Sequence, residues 1–276
     1  MDRTAYRQAG QRAKHARNAL RNCRLCPRNC GVDRTAGHLG YCRLDDSNRC
    51  FREMLYCGEE TGLNPSHQIY FAGCNLACEF CTVAEWNHCP QAAKKLNTEQ
   101  LKLKIDQRKR QGAKTLNLLG GEPAVNLHGI LELLAQLDCD TKVVWNSNMY
   151  YNGIVNDLTA GLVDVYLPDF KCGNADCAEK MLGAADYVEV VKQNILKAHR
   201  QGEIIVRHLL MPGHSDCCLK PILAWLAKEM PDVKLSLRAD YVPPATAVAS
   251  PPLYLEEEQR QAAVELAEDA GLNVIL

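Results

Sequence analysis

The segment FAGCNLACEFC at 71–81 places Cys74, Cys78 and Cys81 at C-x3-C-x2-C spacing, directly after an apolar run at 69–72 that reads as a strand. Three thiolates on one compact loop can hold three corners of a cubane iron–sulfur cluster, whereas structural zinc sites and fully protein-ligated clusters close with four ligands. One iron is left open to a ligand from outside the chain. The rest of the sequence has to present that loop from a rigid scaffold.

The chain has 276 residues, a length that suits an α/β barrel, and it is 47% hydrophobic and 24% charged, which is globular rather than disordered. A formal net charge of -1 gives no overall attraction to nucleic acid or an anionic membrane. No stretch reaches the ~20 apolar residues of a membrane span, and residues 1–28 lack the apolar core of a signal peptide. Arg3, Arg7, Arg12, Lys14, Arg17 and Arg21, opposed there only by Asp2, read as the solvated face of an amphipathic helix in preference to a transit peptide. Fifteen cysteines, an odd number, in a chain expected to be cytoplasmic point to bound metal over disulfides.

A second cysteine group precedes the first. Cys23, Cys26, Cys30 and Cys42 follow C-x2-C-x3-C-x11-C among Pro27, Gly31, Gly37 and Gly40. Four thiols in so short a span suit a knuckle around zinc or around a second iron–sulfur cluster, and spacing does not choose between them.

From residue 69 onward apolar runs at 69–72, 115–119, 142–146, 163–167, 204–210 and 233–237 alternate with helical patterns near 98–112, 127–137, 152–161, 186–201 and 217–229. A helix near 256–270 and a short edge strand at 273–276 follow. Six βα units predict an α/β barrel, complete or open, at 67–276, behind an amino-terminal helix and cysteine-rich segment at 1–66. Ligands of such barrels sit at the carboxyl ends of the strands, and every strand end here carries polar or glycine-rich residues. These are Gly120-Gly121-Glu122-Pro123, Asn146-Ser147-Asn148, Asp169 with Lys171, Arg207-His208, and Arg238 with Asp240 and Tyr241. Each taken alone has a plainer reading: a turn, a surface ion pair worth ~0 to 1 kcal/mol, or a satisfied core histidine at His208. Their co-location favours a binding site. His15, His128 and His199 read as helix-surface residues, and Tyr241, His214, Cys139, Cys172, Cys177, Cys217 and Cys218 as structural.

An iron with a free position can take a chelating amino acid, and a sulfonium on that amino acid can then accept an electron. The cysteine spacing, with Phe80 before the last cysteine and Gly120-Gly121-Glu122-Pro123 one strand later, resembles the radical S-adenosylmethionine superfamily. Cys23-x2-Cys26-Pro27-x2-Cys30, Leu167-Pro168-Asp169-Phe170-Lys171 and Arg207-His208-Leu209 are similar to the branch containing pyruvate formate-lyase activating enzyme and its relatives. The resemblance implies a partial (β/α)6 barrel, a 4Fe-4S cluster on Cys74, Cys78 and Cys81, and cleavage of S-adenosylmethionine to methionine and a 5'-deoxyadenosyl radical. It implies an external electron donor such as flavodoxin or ferredoxin. Gly120, Gly121 and Glu122, with Pro123, would bind the methionine moiety, and Asn148, Lys171 and Arg207, beside His208, the ribose or carboxylate. Asn146, Ser147 and Asp169 fall where activating enzymes bind ribose or a monovalent cation, and Asn146 replaces the aspartate expected there. Activating enzymes with extra clusters carry them in an insert after the three-cysteine loop, for which residues 82–97 are too short. The expected reaction is hydrogen abstraction from a protein or peptide partner. The alternatives are the same chemistry on a small metabolite or nucleic acid, or a non-catalytic zinc or iron–sulfur module.

Overall fold

In the computed structural model, which describes residues 3–138, 140–243 and 254–275, the apolar runs become strands of one nine-stranded sheet. Cys139 and Leu276 lie outside the described residues. In chain order the elements are α1 (Arg3–Ala19), β1 (Arg49–Tyr56), β2 (Ser66–Phe71), α2 (Ala84–His88), β3 (Lys94–Lys95), α3 (Thr98–Arg110), β4 (Thr115–Gly120) and α4 (Leu127–Leu134). They continue as β5 (Val143–Ser147), α5 (Gly153–Thr159), β6 (Val165–Pro168), α6 (Ala175–Leu182), α7 (Tyr187–His199), β7 (Glu203–Leu209), α8 (Lys220–Glu229), β8 (Lys234–Arg238), α9 (Glu257–Asp269) and β9 (Asn273–Ile275).

The sheet order is β3-β1-β2-β4-β5-β6-β7-β8-β9, parallel from β2 to β9, with β1 antiparallel to β2 and β3 to β1. Among the described residues β3 and β9 are its edges, so the barrel is open. Parallel strands covered on both faces tolerate no polar face, and all five residues of β5 are buried. Register aligns the carboxyl ends: Phe71 pairs with Gly120, Ser147 with Pro168, and Leu209 with Arg238. All the strand-end chemistry is thereby brought to one rim.

The flanking helices obey local rules. Asn97 caps α3 by accepting from Gln100 N at 2.9 Å, and Arg108, Lys109 and Arg110 occupy its last turn, where cations offset the helix dipole. In α1, Ala9, Ala13, Ala16 and Tyr6 bury one stripe at helical spacing, and that stripe packs on α4. Of the basic residues, Arg12 Nη1 donates to Ala160 O at 2.5 Å and Arg17 pairs with Asp46 at 2.6 Å.

Three features differ from expectation. Residues 49–56 form β1, which extends the sheet, although their charged side chains mask the alternation. A short helix, α6, stands between β6 and α7, capped by Asn174 and ended by Gly183 in the left-handed region. His128 is fully buried in α4, its Nε2 2.9 Å from Asp46 O, because a residue on a helix covered on both sides has no solvent face to occupy. None of the described helices is long and apolar enough to cross a membrane.

Candidate functional site

The three-cysteine loop is held by backbone bonds that only glycines permit. Gly121 N donates to Phe71 O at 2.7 Å and Glu122 N to Gly73 O at 2.9 Å, so the end of β4 lies directly against the start of the loop. A Cβ on Gly120, which sits at φ +126°, would overlap the backbone of Phe71, and one on Gly121 would overlap Gly73 O. The glycine pair is required by this close approach, independently of any ligand.

Beside the loop opens a cavity of about 950 Å³, within the ~300–1,000 Å³ of small-molecule sites. Cys74, Cys78 and Cys81 line it together with Gly120, Gly121, Asn146, Ser147, Asn148, Asp169, Lys171 and Arg207. Glu122, Pro123 and His208, expected from sequence to face the same ligand, are buried behind that wall. Glu122 Oε1 accepts from Ala124 N at 3.0 Å and Ser147 Oγ at 2.8 Å, and Oε2 accepts from Asn148 N at 2.9 Å. The carboxyl thus bridges the ends of β4 and β5 from within the protein, and burial pushes its pKa up to about 7 against those donors. His208 lies with Nδ1 2.7 Å from Phe170 O, and burial lowers its pKa to about 4, which keeps the ring neutral. Its surroundings are those of a satisfied core histidine.

The thiols are set to be metal-bound. Burial raises Cys74 well above the ordinary thiol range, and the neighbouring Cys78 adds to the effect. Burial also pushes Cys78 up to about 11, eased by the Lys171 ammonium. Donors nevertheless converge on sulfur: Leu76 N at 3.5 Å and Asn148 Nδ2 at 3.7 Å from Cys74, and Asn87 Nδ2 at 3.4 Å from Cys81. Donors aimed at buried thiols fit thiolates on a cationic cluster and have little use for neutral thiols. Three thiols on one loop are one short of the four that close a structural zinc site, and they fit three corners of a polynuclear cluster.

Two charged constellations complete the rim. Lys171 Nζ holds Asp169 Oδ2 at 2.9 Å, and although burial works against the ammonium, Asp169 keeps it charged. Arg207 is clasped by carboxylates that sequence reading did not find. Its Nε lies 2.5 Å from Glu60 Oε1 and its Nη2 bonds Glu60 Oε2 and Glu59 Oε2. Glu59 in turn accepts from Gln68 Nε2 and from Asn117 Nδ2, tying the loop after β1 to the interior of β2 and β4. The adjacent Glu59-Glu60 pair ahead of an apolar strand was the available signal.

The amino-terminal cysteines gather in their own knuckle. Cys23, Cys26 and Cys42 are buried, and Tyr41 N donates to Cys30 Sγ at 3.2 Å. Gly40 lies between Cys30 and Cys42, and a Cβ there would meet both sulfurs at 3.6 Å. Burial pushes Cys26 up to about 12.

A three-cysteine loop after the first parallel strand, facing a rim of strand-end polar groups in an open barrel, defines a class. The family model described as the radical SAM superfamily matches residues 69–226, more than half of the chain, and the chain belongs to that superfamily. It is therefore an enzyme of the radical type, using a 4Fe-4S cluster and S-adenosylmethionine. An uncharacterised protein of Methanocaldococcus jannaschii is 37% identical over 275 residues, covering 94% of this chain and 78% of the relative. The 7-carboxy-7-deazaguanine synthase of Clostridium acetobutylicum is 28% identical over 169 residues, 58% of this chain and 74% of that one. Among solved structures, Streptococcus suis SuiB bound to its precursor peptide SuiA matches with a TM-score of 0.52 and 12% identity, over 73% of this chain and 46% of SuiB. SuiB bound to S-adenosylmethionine matches with a TM-score of 0.51 at 12% identity, over 73% of this chain and 47% of that one. The chain spans just under half the length of SuiB, and the likeness is one of fold.

Proposed function

We propose that the chain abstracts a hydrogen atom from a protein or peptide partner, in the manner of the pyruvate formate-lyase activating enzyme-like branch it resembles. The observation that carries this reading is the aromatic mouth of the cavity. Tyr41, from the cysteine-rich segment, and Tyr56, at the end of β1, line it and are 43% and 37% exposed. Exposed aromatic side chains at a cavity mouth suit a macromolecular surface better than a metabolite that must be enclosed.

Cys74, Cys78 and Cys81 would hold the 4Fe-4S cluster, which would supply one-electron reductive cleavage of S-adenosylmethionine with an external donor of the flavodoxin or ferredoxin type. Gly120 and Gly121 offer bare backbone along the methionine moiety, and Asn146, Ser147 and Asn148 offer short hydrogen-bonding groups to the ribose. Asp169, Lys171 and Arg207 set the charge facing the carboxylate. A hydrogen atom taken from the partner would end on the 5' carbon and leave the unpaired electron on the partner.

The segment at 1–66 acts as an accessory unit to the barrel at 67–276. Its Cys23, Cys26, Cys30 and Cys42 hold a second iron–sulfur cluster. The reading is supported by four thiols gathered in one knuckle, with Gly40 packed between the sulfurs of Cys30 and Cys42. The reduced cytoplasm is the compartment in which so many thiols stay available. SuiB, solved with its precursor peptide, supports a peptide substrate at the level of fold. A second reading, the same chemistry on a small metabolite, is favoured by the 28% identity to 7-carboxy-7-deazaguanine synthase.

The test is deuterium transfer. Anaerobically reconstituted protein, reductant and S-adenosylmethionine are incubated with deuterated cell extract divided by dialysis into macromolecular and small-molecule fractions. Deuterium in 5'-deoxyadenosine is expected from the macromolecular fraction, and not with Cys74→Ala. Label arriving only from the small-molecule fraction would establish the second reading instead.

A further inference from the structure

Cys177 in the first turn of α6 and His214, Cys217 and Cys218 in the turn after β7 belong to no site described above. Their ligand atoms all lie within 4.8 Å of one another. Cys177 Sγ is 3.6 Å from Cys217 Sγ and 3.8 Å from His214 Nδ1, which is also 3.3 Å from Cys217 Sγ and 3.9 Å from Cys218 Sγ. A tetrahedral zinc ion, with bonds of ~2.3 Å to sulfur and ~2.0–2.1 Å to nitrogen, holds such donors roughly 3.5–3.8 Å apart. A cubane spreads its cysteine sulfurs farther, and a disulfide between Cys177 and Cys217 would have to bring them to ~2.05 Å.

We propose that Cys177, His214, Cys217 and Cys218 form a closed structural zinc site that fastens α6 to the turn after β7. Three thiolates and one imidazole complete a four-coordinate shell and leave no open position, which is the structural form of the site. The surroundings fit ligands held in place. Asn174 Nδ2 donates to Cys177 Sγ at 3.2 Å and also bonds Cys217 O, and Asn174 Oδ1 accepts from Cys177 N at 2.8 Å. Gly173 touches the backbone of Cys218 so closely that a Cβ would collide with Cys218 O.

The site is placed to steady the radical centre. The amino end of α6 carries Cys177, and its carboxyl end accepts hydrogen bonds from the three-cysteine loop, Ala77 N to Leu182 O and Glu79 N to Met181 O, both 3.0 Å. Asp169 and Lys171 precede α6 on the same strand-end loop. One zinc ion thus connects two strand-end loops and, through a two-turn helix, the cluster loop.

The experiment uses the full-length protein purified anaerobically with no metal added. Elemental analysis is expected to find about one zinc per chain. Zinc should be absent from Cys177→Ser and Cys217→Ser and retained in Cys23→Ser and Cys74→Ala. Differential alkylation of the wild-type protein keeps the proposal testable where a variant fails to fold. Cys177, Cys217 and Cys218 should resist alkylation while the exposed Cys57 and Cys89 react, and should become reactive after zinc chelation. Amide exchange in α6 and in residues 76–81 should rise on chelation. Zinc that leaves with Cys23 and not with Cys217, a Cys177–Cys217 or Cys172–Cys218 disulfide in the mass spectrum, or equal alkylation with and without chelator would each overturn the proposal.

Discussion

Replacing Arg207 by leucine should expose how much of the cavity floor depends on one cation. Glu59 and Glu60 have side chains only 2% and 1% exposed, and Arg207 is 14% exposed. Burial alone would raise the pKa of Glu60, but hydrogen bonding and charge from Arg207 override it and bring the group from 4.5 down to about 2. At ~1.4 kcal/mol per pKa unit this corresponds to about 3 kcal/mol, close to the ~3–5 kcal/mol lost when one partner of a buried pair is removed. The folded-state pKa is depressed, so in the wild type this stability is present above pH 4.5 and is lost as pH falls toward about 2. In Arg207→Leu burial is opposed only by the weaker hydrogen bonds from backbone and Ser236, so the folded-state pKa of Glu60 should rise and acidification should protonate it and relieve the variant. Its deficit relative to wild type should therefore be largest near neutrality and shrink toward about pH 5. The measurement is the urea midpoint, by circular dichroism, of anaerobically reconstituted wild type, Arg207→Leu and Arg207→Leu/Glu60→Gln. The double variant should recover much of the loss near neutrality. A deficit below about 1 kcal/mol, the range of an exposed pair, or one identical at both pH values would refute the reasoning.

Cys74→Ala should lose the iron of its own cluster, its visible absorbance falling to that of the amino-terminal cluster, and form no 5'-deoxyadenosine above background. Gly121→Ala drives a methyl group into Gly73 O and should cost about 1–3 kcal/mol with reduced iron content, whereas Gly153→Ala, whose nearest neighbour is a flexible lysine end at 3.6 Å, should be nearly silent in the same thermal melts. Lys171→Met removes a charge-assisted donor and should weaken S-adenosylmethionine binding about 10- to 100-fold in equilibrium dialysis. Glu122→Gln turns an amide donor toward at least one of Ala124 N, Ser147 Oγ and Asn148 N, and should destabilise by about 1–3 kcal/mol in denaturant titrations.

The central strands were legible from their buried apolar stretches, as in Val143-Val144-Trp145 of β5 and Ile204-Ile205-Val206 of β7. Strand β1 was not, since RCFREMLY is only partly buried and its three charged residues in eight hide its period. Helix α6 escaped because eight residues around Cys177 carry too little periodicity to register. Of the rim residues, Gly120, Gly121, Asn146, Ser147, Asn148, Asp169, Lys171 and Arg207 line the cavity, whereas Glu122 and His208 are buried beside it, since a strand end offers an inward and an outward direction and sequence does not say which side chain takes which.

What the sequence determined by itself is the radical centre: three cysteines within eight residues, positioned by the backbone that joins them and presented by a strand visible in the same stretch. Local spacing suffices when ligands share one loop. The clasp of Arg207 joins residues 147 and 148 positions apart, and the Cys177–His214–Cys217 cluster bridges separations of 37 and 40. Those constellations exist only because parallel pairing brings every strand's carboxyl end to one rim. There, loops distant in sequence bring charges and sulfurs into contact, and burial makes each unpaired group costly enough to require its partner.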